Sequence, residues 1–281
     1  MQLETKIYQK ENNLSVLKIL KDSLKDIYKS RFLAKQFTVR DIKAQYRQSY
    51  FGILWAFVTP LSTAIVWIFL SSSGTVVLSD TGVPYPVYVF SGTLIWSIIK
   101  EAINTPTSST NGARGILSKI NFPKEALIIS GIYKLLFNSA IKIILLIILM
   151  VIYQVQFQWV LFLFPFGLLA AILFGIALGL LITPISMLYK DIGSAINLGL
   201  SFVMYITPVV YVIPNKGIMR LLMQFNPLTP IIEVTRYLLV GGSYSNLTMY
   251  FIIIGCSIPL LLLALVWYRI SIPIIVERMS A

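Results

Sequence analysis

The chain has 281 residues, 57% of them apolar and 12% charged, with 23 Lys and Arg against 11 Asp and Glu, and its mean hydropathy is +0.81. A soluble domain of this size buries far less apolar material, so an ordinary water-soluble fold is excluded and lipid is the expected solvent for most of the chain. Histidine does not occur, which removes the usual zinc ligand, the usual general base and any Ser-His or Cys-His nucleophile. No covalent chemistry, metal or bound cofactor is therefore expected on this chain.

Residues 1–49 lack the short apolar core of a signal peptide and hold eleven of the Lys and Arg; they are expected to remain as a cytosolic or interfacial segment ahead of a membrane domain over 50–281. From Leu14 to Phe37, the apolar residues Leu17, Leu20, Leu24 and Ile27 recur at three and four. Lys18, Lys21, Asp22, Lys25 and Lys29 take other faces. That pattern predicts a basic amphipathic helix lying apolar side down in the headgroup plane, held partly by anionic lipid. Next, Arg40, Lys43 and Arg47 fall at i, i+3 and i+7 on one helical face, with Asp41 pointing elsewhere. They read either as ordinary cytoplasmic flanking charge or as contacts for a phosphorylated lipid head at an entrance.

Apolar runs then predict six spans, at about 51–73, 83–104, 126–152, 159–188, 193–213 and 247–268, each near the roughly 20 residues that cross a bilayer. The second is the least regular, because Lys100 and Glu101 sit near its end. Lys and Arg gather before the first span, after the second (Arg114, Lys119, Lys124), after the fourth (Lys190) and in the C-terminal tail (Arg269, Arg278). Loops 74–82 and 153–158 carry none. Cytoplasmic loops retain such residues, so both termini are expected in the cytoplasm.

Within the third span, Ser130, Lys134, Asn138 and Lys142 stand four apart and draw a polar stripe. Lys142 lies too deep to reach the cytoplasmic surface, so it should face protein or a water-filled cavity, either in structural pairing or toward a substrate. In the fourth, Ala171, Gly175 and Gly179 make a small-residue face suited to close helix packing. Prolines at 60, 165, 184 and 208 are expected to kink spans or end them. Segment 214–246 is too short in its apolar stretches to cross and too apolar for an ordinary loop, which predicts interfacial or re-entrant helices on the outer side. There Glu233 and Arg236, at i and i+3, could pair as fold support or as an outer lid. Cys256, the one cysteine, sits in an apolar run and reads as a packing residue. Aromatics, among them Tyr46, Tyr50, Trp55, Tyr205 and Tyr211, suit interface belts, or a path where rings stack on sugar faces.

No Gly is followed by Lys, so no Walker A loop exists here and ATP, if used, is bound by another chain. The acids are scattered, with Glu101 and Asp191 only at span ends, which weakens proton coupling and metal-dependent lipid-sugar chemistry.

Several runs in this order carry a resemblance: Arg40-Asp41-Ile42-Lys43, Tyr46-Arg47-Gln48-Ser49, Gly52, Leu54-Trp55-Ala56 and Pro60-Leu61; Ile120-Asn121-Phe122-Pro123 with Lys124-Glu125; Tyr189-Lys190-Asp191; Thr207-Pro208-Val209-Val210-Tyr211; and Asn226-Pro227-Leu228 with Arg236. The chain resembles the permease subunits of ABC transporters that export polysaccharides such as O-antigen, capsule and teichoic acid. The resemblance implies an all-α membrane protein of six spans, with an N-terminal interfacial helix and short re-entrant helices between spans five and six. It would form a homodimer in the cytoplasmic (inner) membrane and be driven by ATP and Mg in separate ABC subunits. It further implies a lipid-linked polysaccharide cargo, membrane lipid but no nucleic acid as partner, and a channel built from spans one and five. Tyr46, Tyr50, Trp55, Tyr205 and Tyr211 then become candidate lining residues. Arg40, Lys43 and Arg47 become candidate head-group contacts, loop residues Arg114, Lys119, Phe122 and Pro123 the coupling element, and Glu233 with Arg236 part of an outer lid. A drug or lipid cargo, or a partner-independent channel or carrier, is the alternative.

Overall fold

A computed structural model describes residues 15–47, 50–51, 54–74, 81–117, 119–242, 244 and 246–280, and every regular element among them is helical. The N-terminal segment forms two helices, α1 (Val16–Lys29) and α2 (Arg31–Arg47). The single helix expected over 14–37 breaks at Ser30, whose backbone N–H and hydroxyl both turn back onto the Asp26 carbonyl, at 2.9 and 2.6 Å. Ile19 and Ser23 are buried, whereas Leu17 and Leu24 point outward, because polar partners on the C-terminal helix draw the Ser23–Asp26 edge of α1 inward.

There follow α3 (Trp55–Ser72), α4 (Tyr85–Gly112), the short α5 (Arg114–Leu117) and α6 (Glu125–Ile152). A 3-10 turn (Trp159–Leu163) leads into α7 (Phe164–Leu188), and α8 (Lys190–Tyr205), α9 (Ile218–Phe225), α10 (Leu228–Val240) and α11 (Leu247–Ser280) complete the order. By length and composition, three stretches among the described residues can cross a membrane: Glu125–Ile152, Trp159–Leu188 and Leu247–Glu277. They coincide with the third, fourth and sixth expected spans, although α11 runs on past 268.

Two other elements depart from the expected limits for identifiable reasons. α4 continues eight residues beyond 104 because its polar end satisfies itself: the hydroxyls of Thr105, Ser108 and Thr110 donate to carbonyls one turn back, at Glu101, Thr105 and Pro106. α8 stops at Tyr205, well short of 213. Pro208 lies in the non-helical segment that follows, while Pro165 falls in the first turn of α7 and Pro184 inside it.

α4 is the most enclosed helix, with Phe90, Leu94, Ile95, Ile98, Ile99 and Ala102 fully buried. The small-residue face of α7 packs on it: a Cβ at Gly175 would sit 2.5 Å from that of Ala102, and one at Gly179 would overlap the Ile103 carbonyl. α6 closes another side, and α11 joins through Tyr268, fully buried with its hydroxyl 2.8 Å from that of Thr110. Cys256 is exposed on α11 and packs in no core, since the apolar run around it faces outward.

Candidate functional site

The break after α8 leaves a stretch of carbonyls without helical partners, and two sequence motifs meet to satisfy them. Asn226, just ahead of α10, donates its amide to the Ile206 carbonyl (3.1 Å) and the Thr207 hydroxyl (2.7 Å), while its own oxygen accepts the Leu228 N–H at 3.0 Å. Arg236, 4% exposed on α10, donates to the carbonyls of Pro208 (2.7 Å) and Val209 (2.6 Å). From α4, the hydroxyls of Tyr85 and Tyr88 donate to the carbonyls of Val210 and Tyr211, each at 3.2 Å. Non-helical backbone in apolar surroundings persists where protein groups replace the lost hydrogen bonds, and here they do so along 206–211. Arg236 therefore serves as a buried strut under the break, and its guanidinium goes to backbone carbonyls rather than to an exposed lid. Glu233 lies one turn away, lining a cavity of about 540 Å³ with Arg220, Gln224 and Tyr244.

Inside the helical body, the polar stripe of α6 meets a carboxylate on α4. Lys142 Nζ lies 3.0 Å from Glu101 Oε2 and 3.2 Å from Ser97 Oγ, and the Asn138 amide donates to Glu101 Oε1 at 2.7 Å. The deep lysine thus faces protein, as its depth required. Beside this group, Gln45, Lys134, Asn104 and Ser108 line a polar cavity of about 280 Å³. The Asn104 amide donates across to Oδ1 of the Asn197 side chain on α8 at 3.0 Å, extending the polar track to that helix. Sequence alone points to neither Asn104 nor Asn197, and to Glu101 only as an acid at a span end. Only the i, i+3 spacing of Glu101 and Asn104 hinted at a shared face.

Arg40, Lys43 and Arg47 are all exposed on α2, but Asp41 does not point away: its carboxylate pairs with Arg40 at 2.8 Å. Among the described residues, Lys43 and Arg47 are the members of that face with no ion pair. The backbone of Tyr46 belongs to α2, and its side chain lies outside the described residues, as do Gln48, Ser49 and Gly52 of the neighbouring motif. Two of the ties that hold α1 and α2 to the body are a charged cluster and a ring pair. Arg269 on α11 donates to Glu125 Oε1 at the start of α6, pairs with Asp26 Oδ2 (2.8 Å) and reaches the Ser23 hydroxyl (3.3 Å). Phe37 packs edge-on against Phe122 with 5.6 Å between ring centroids.

The ring pair lands on the loop between α5 and α6. Here the four candidate coupling residues separate by surroundings. Arg114 donates to the Met187 carbonyl at 2.9 Å and so caps the last turn of α7. Phe122 is partly buried between Phe37 and Lys124, whose ammonium lies 5.3 Å from the Phe122 centroid. Pro123 is half-buried, and Lys119 is exposed. Burial pushes the pKa of Lys124 down, with the adjacent Glu125 carboxylate opposing the shift.

The aromatic candidates divide in the same way. Tyr50 is 99% exposed and begins an edge-to-face chain through Phe51 (5.4 Å) to Trp55 (5.9 Å) at the entry to α3. Tyr205 ends an outward stripe of Leu198, Phe202 and Tyr205 on α8, whereas Tyr211 is partly buried against the core. Phe51 and Phe202 extend the aromatic surface beyond the residues chosen from sequence; the spacing 198, 202, 205 was the available signal.

This chain is 27% identical over 208 residues to the O-antigen export system permease protein RfbA of Myxococcus xanthus, covering 73% of this chain and 79% of that protein. It is 23% identical over 223 residues to a protein of the same name from Klebsiella pneumoniae, covering 76% and 83%. A second Klebsiella pneumoniae protein of that name is 22% identical over 212 residues, covering 73% and 79%. Residues 33–240, from α2 through α10, match the family described as ABC-2 type transporter, and the chain belongs to that family.

Proposed function

We propose that this chain is the transmembrane subunit of an ATP-driven exporter that moves lipid-linked polysaccharide of the O-antigen type across the cytoplasmic membrane. The observation that carries this reading is similarity over about three quarters of the chain to relatives named as O-antigen export permeases. Membership in the ABC-2 family implies an ATP-binding partner subunit, in keeping with a chain that has no Walker A loop. In this reading the chain performs no covalent chemistry; ATP and Mg act in the partner, which docks on the α5–α6 loop with Lys119 presented to it.

The same reading takes 50–281 as six spans with both termini in the cytoplasm, and 1–49 as an interfacial segment. Two copies would bring the outward aromatic faces of α3 and α8 together around a path, with Tyr50, Trp55 and Tyr205 toward the glycan. Lys43 and Arg47 would receive the phosphorylated head of the cargo, supported by Arg40. Charge-assisted bonds from such cations are the physical basis for holding a pyrophosphate.

Depletion of the protein in its native host tests the proposal, with surface polysaccharide and lipid-linked glycan inside the cell measured together. Loss outside with accumulation inside is the expected result. Unchanged glycan in both pools would overturn the cargo and move the assignment to a drug or lipid.

A further inference from the structure

α2 is seated on α6 by a narrow seam. Ala34 is fully buried, and the Thr38 hydroxyl, also buried, lies 3.2 Å from both the carbonyl and the hydroxyl of Ser130. Alongside this seam runs an open trough of about 600 Å³, within the roughly 300–1,000 Å³ typical of small-molecule sites. One wall is Phe32, Val39 and Ile42 on α2; the other is Tyr133 and Phe137, one turn apart on α6. At the end nearer the start of α2 stand Arg31 and Lys35, and no acid lines the trough. Neither cation makes an ion pair among the described residues; Arg31 instead lies 4.5 Å from the centre of the Tyr28 ring.

The trough thus asks for a molecule that is apolar along most of its length and anionic at one end. The contacts fix its direction. Thr38 meets Ser130, while Gln45 shares a cavity with Lys134 and Asn138, so α2 advances along α6 away from the Glu125 end. Arg31 and Lys35 consequently sit toward the Glu125 end, and the aromatic wall lies further along.

We propose that this trough is a binding site for an anionic phospholipid of the surrounding bilayer. Arg31 and Lys35 hold the phosphodiester head, and an acyl chain lies between Val39, Ile42 and the aromatic wall. Its occupant is distinct from the cargo by geometry. At about 100° per residue, positions 31, 35, 38, 39 and 42 share one face of α2, and 40, 43 and 47 share another centred about 130° round the helix, with Lys43 the member nearest to Val39. A lipid in the trough braces α2 from behind while leaving the Lys43 and Arg47 face open. The burial of acyl carbon and the attraction of two cations to an anionic head are the two sources of affinity.

The test is native mass spectrometry of the full chain released from nanodiscs of equal phosphatidylglycerol and phosphatidylcholine. Wild type should retain phosphatidylglycerol in preference. R31Q/K35Q should lower its retention about tenfold or more, at unchanged phosphatidylcholine retention. V39W, which fills the apolar part of the trough while keeping both cations in the chain, should lower retention of both lipids. Equal retention of the two lipids by wild type, or no change in either variant, would overturn the site. Preferential retention of added polyprenyl phosphate over phosphatidylglycerol would also overturn it, by giving the trough to the cargo. No glycan or ATP enters the measurement, so its result is separate from that of the export reading.

Discussion

The Arg236 guanidinium lies 3.9 Å from the centre of the Tyr88 ring, and the two residues close the same break in the chain from opposite sides. Tyr88 donates to the Tyr211 carbonyl while Arg236 donates to those of Pro208 and Val209. The space between them is held open by Gly92, where a Cβ would overlap both the Val209 carbonyl and the Arg236 guanidinium. Two sequence motifs far apart in the chain, around Thr207 and around Arg236, thus act as one structural unit.

Arg236→Met should therefore act on stability before it acts on any lid movement. It strips two buried carbonyls of their donor, at about 1–3 kcal/mol for each group left unsatisfied. Tyr88→Phe removes one neutral bond and should cost about 1 kcal/mol. Gly92→Ala should cost about 1–3 kcal/mol by overpacking. Thermal unfolding in detergent reads all three. An Arg236→Met protein as stable as wild type would show that the carbonyls find other donors and that the strut is dispensable.

The Glu101–Lys142 pair gives a second test, by double-variant cycle. Lys142→Met leaves an uncompensated carboxylate between α4 and α6, which should cost about 2–4 kcal/mol. Adding Glu101→Gln removes that charge while keeping an oxygen for the Asn138 amide, and should recover about 1–3 kcal/mol. If the double variant were as unstable as the sum of the singles, the two residues would be uncoupled.

How much of this could be read from the sequence depends on where each partner lies. The stripe Ser130–Lys134–Asn138–Lys142 and the small face Ala171–Gly175–Gly179 were legible because helical period alone puts those residues together. The packing role of the small face followed from the closeness that glycine permits, whereas the cost of a deep lysine left Lys142 open between pairing and a substrate, and the pairing with Glu101 came from the structure. Elements whose limits are set by distant groups were not legible. α8 ends at Tyr205 because Asn226, Arg236, Tyr85 and Tyr88 accept the burden of the carbonyls beyond it, and none of these is near in sequence. α1 turns its Ser23–Asp26 edge inward because of Arg269, about 240 residues away, a partner that its apolar period alone does not reveal. The bond from Arg114 to the end of α7 is of the same kind, since its partner Met187 lies 73 residues away.

The Arg269 group joins α1, α6 and α11, two of which lie outside the residues matched to the family. Glu125 is 3% exposed, so Arg269→Ala would leave its carboxylate buried beside Ser23. A loss of about 1–3 kcal/mol is expected, the lower end reflecting the partial exposure of Arg269 itself. Limited proteolysis should also cut faster between α1 and α2, because α1 loses its tie at Asp26. Unchanged cleavage and unfolding together would mean that Ile19 and its apolar neighbours alone seat α1.

Lys119 and Arg114 should separate docking from folding. Lys119 is exposed and engaged in no ion pair among the described residues, whereas Arg114 caps α7. Lys119→Glu should reduce co-purification of the ATP-binding subunit with no change in unfolding temperature. Arg114→Met should lower that temperature, at about 1–3 kcal/mol for the loss of a charge-assisted bond to Met187. Should Lys119→Glu leave the complex intact, the docking face lies elsewhere on the chain.

The basic face of α2 carries the most specific functional prediction, because the structure ranks its residues. Arg40 already faces Asp41 at 2.8 Å, so its charge is partly answered before any ligand arrives. Lys43 and Arg47 have no such neighbour among the described ion pairs. A phosphorylated head gains from each unanswered cation about 1 kcal/mol near a membrane surface, a factor of roughly five to ten in occupancy. Lys43→Glu with Arg47→Glu should then reduce export by about tenfold or more while membrane insertion stays normal. Arg40→Gln alone should have a smaller effect, and Asp41→Asn should raise head-group affinity by freeing Arg40. Surface glycan and membrane-inserted protein, measured together in the same cells, read both quantities. If Arg40→Gln proved as severe as the Lys43 and Arg47 reversal, Arg40 would be acting with its aspartate as a unit, and the pair rather than the open cations would mark the entrance.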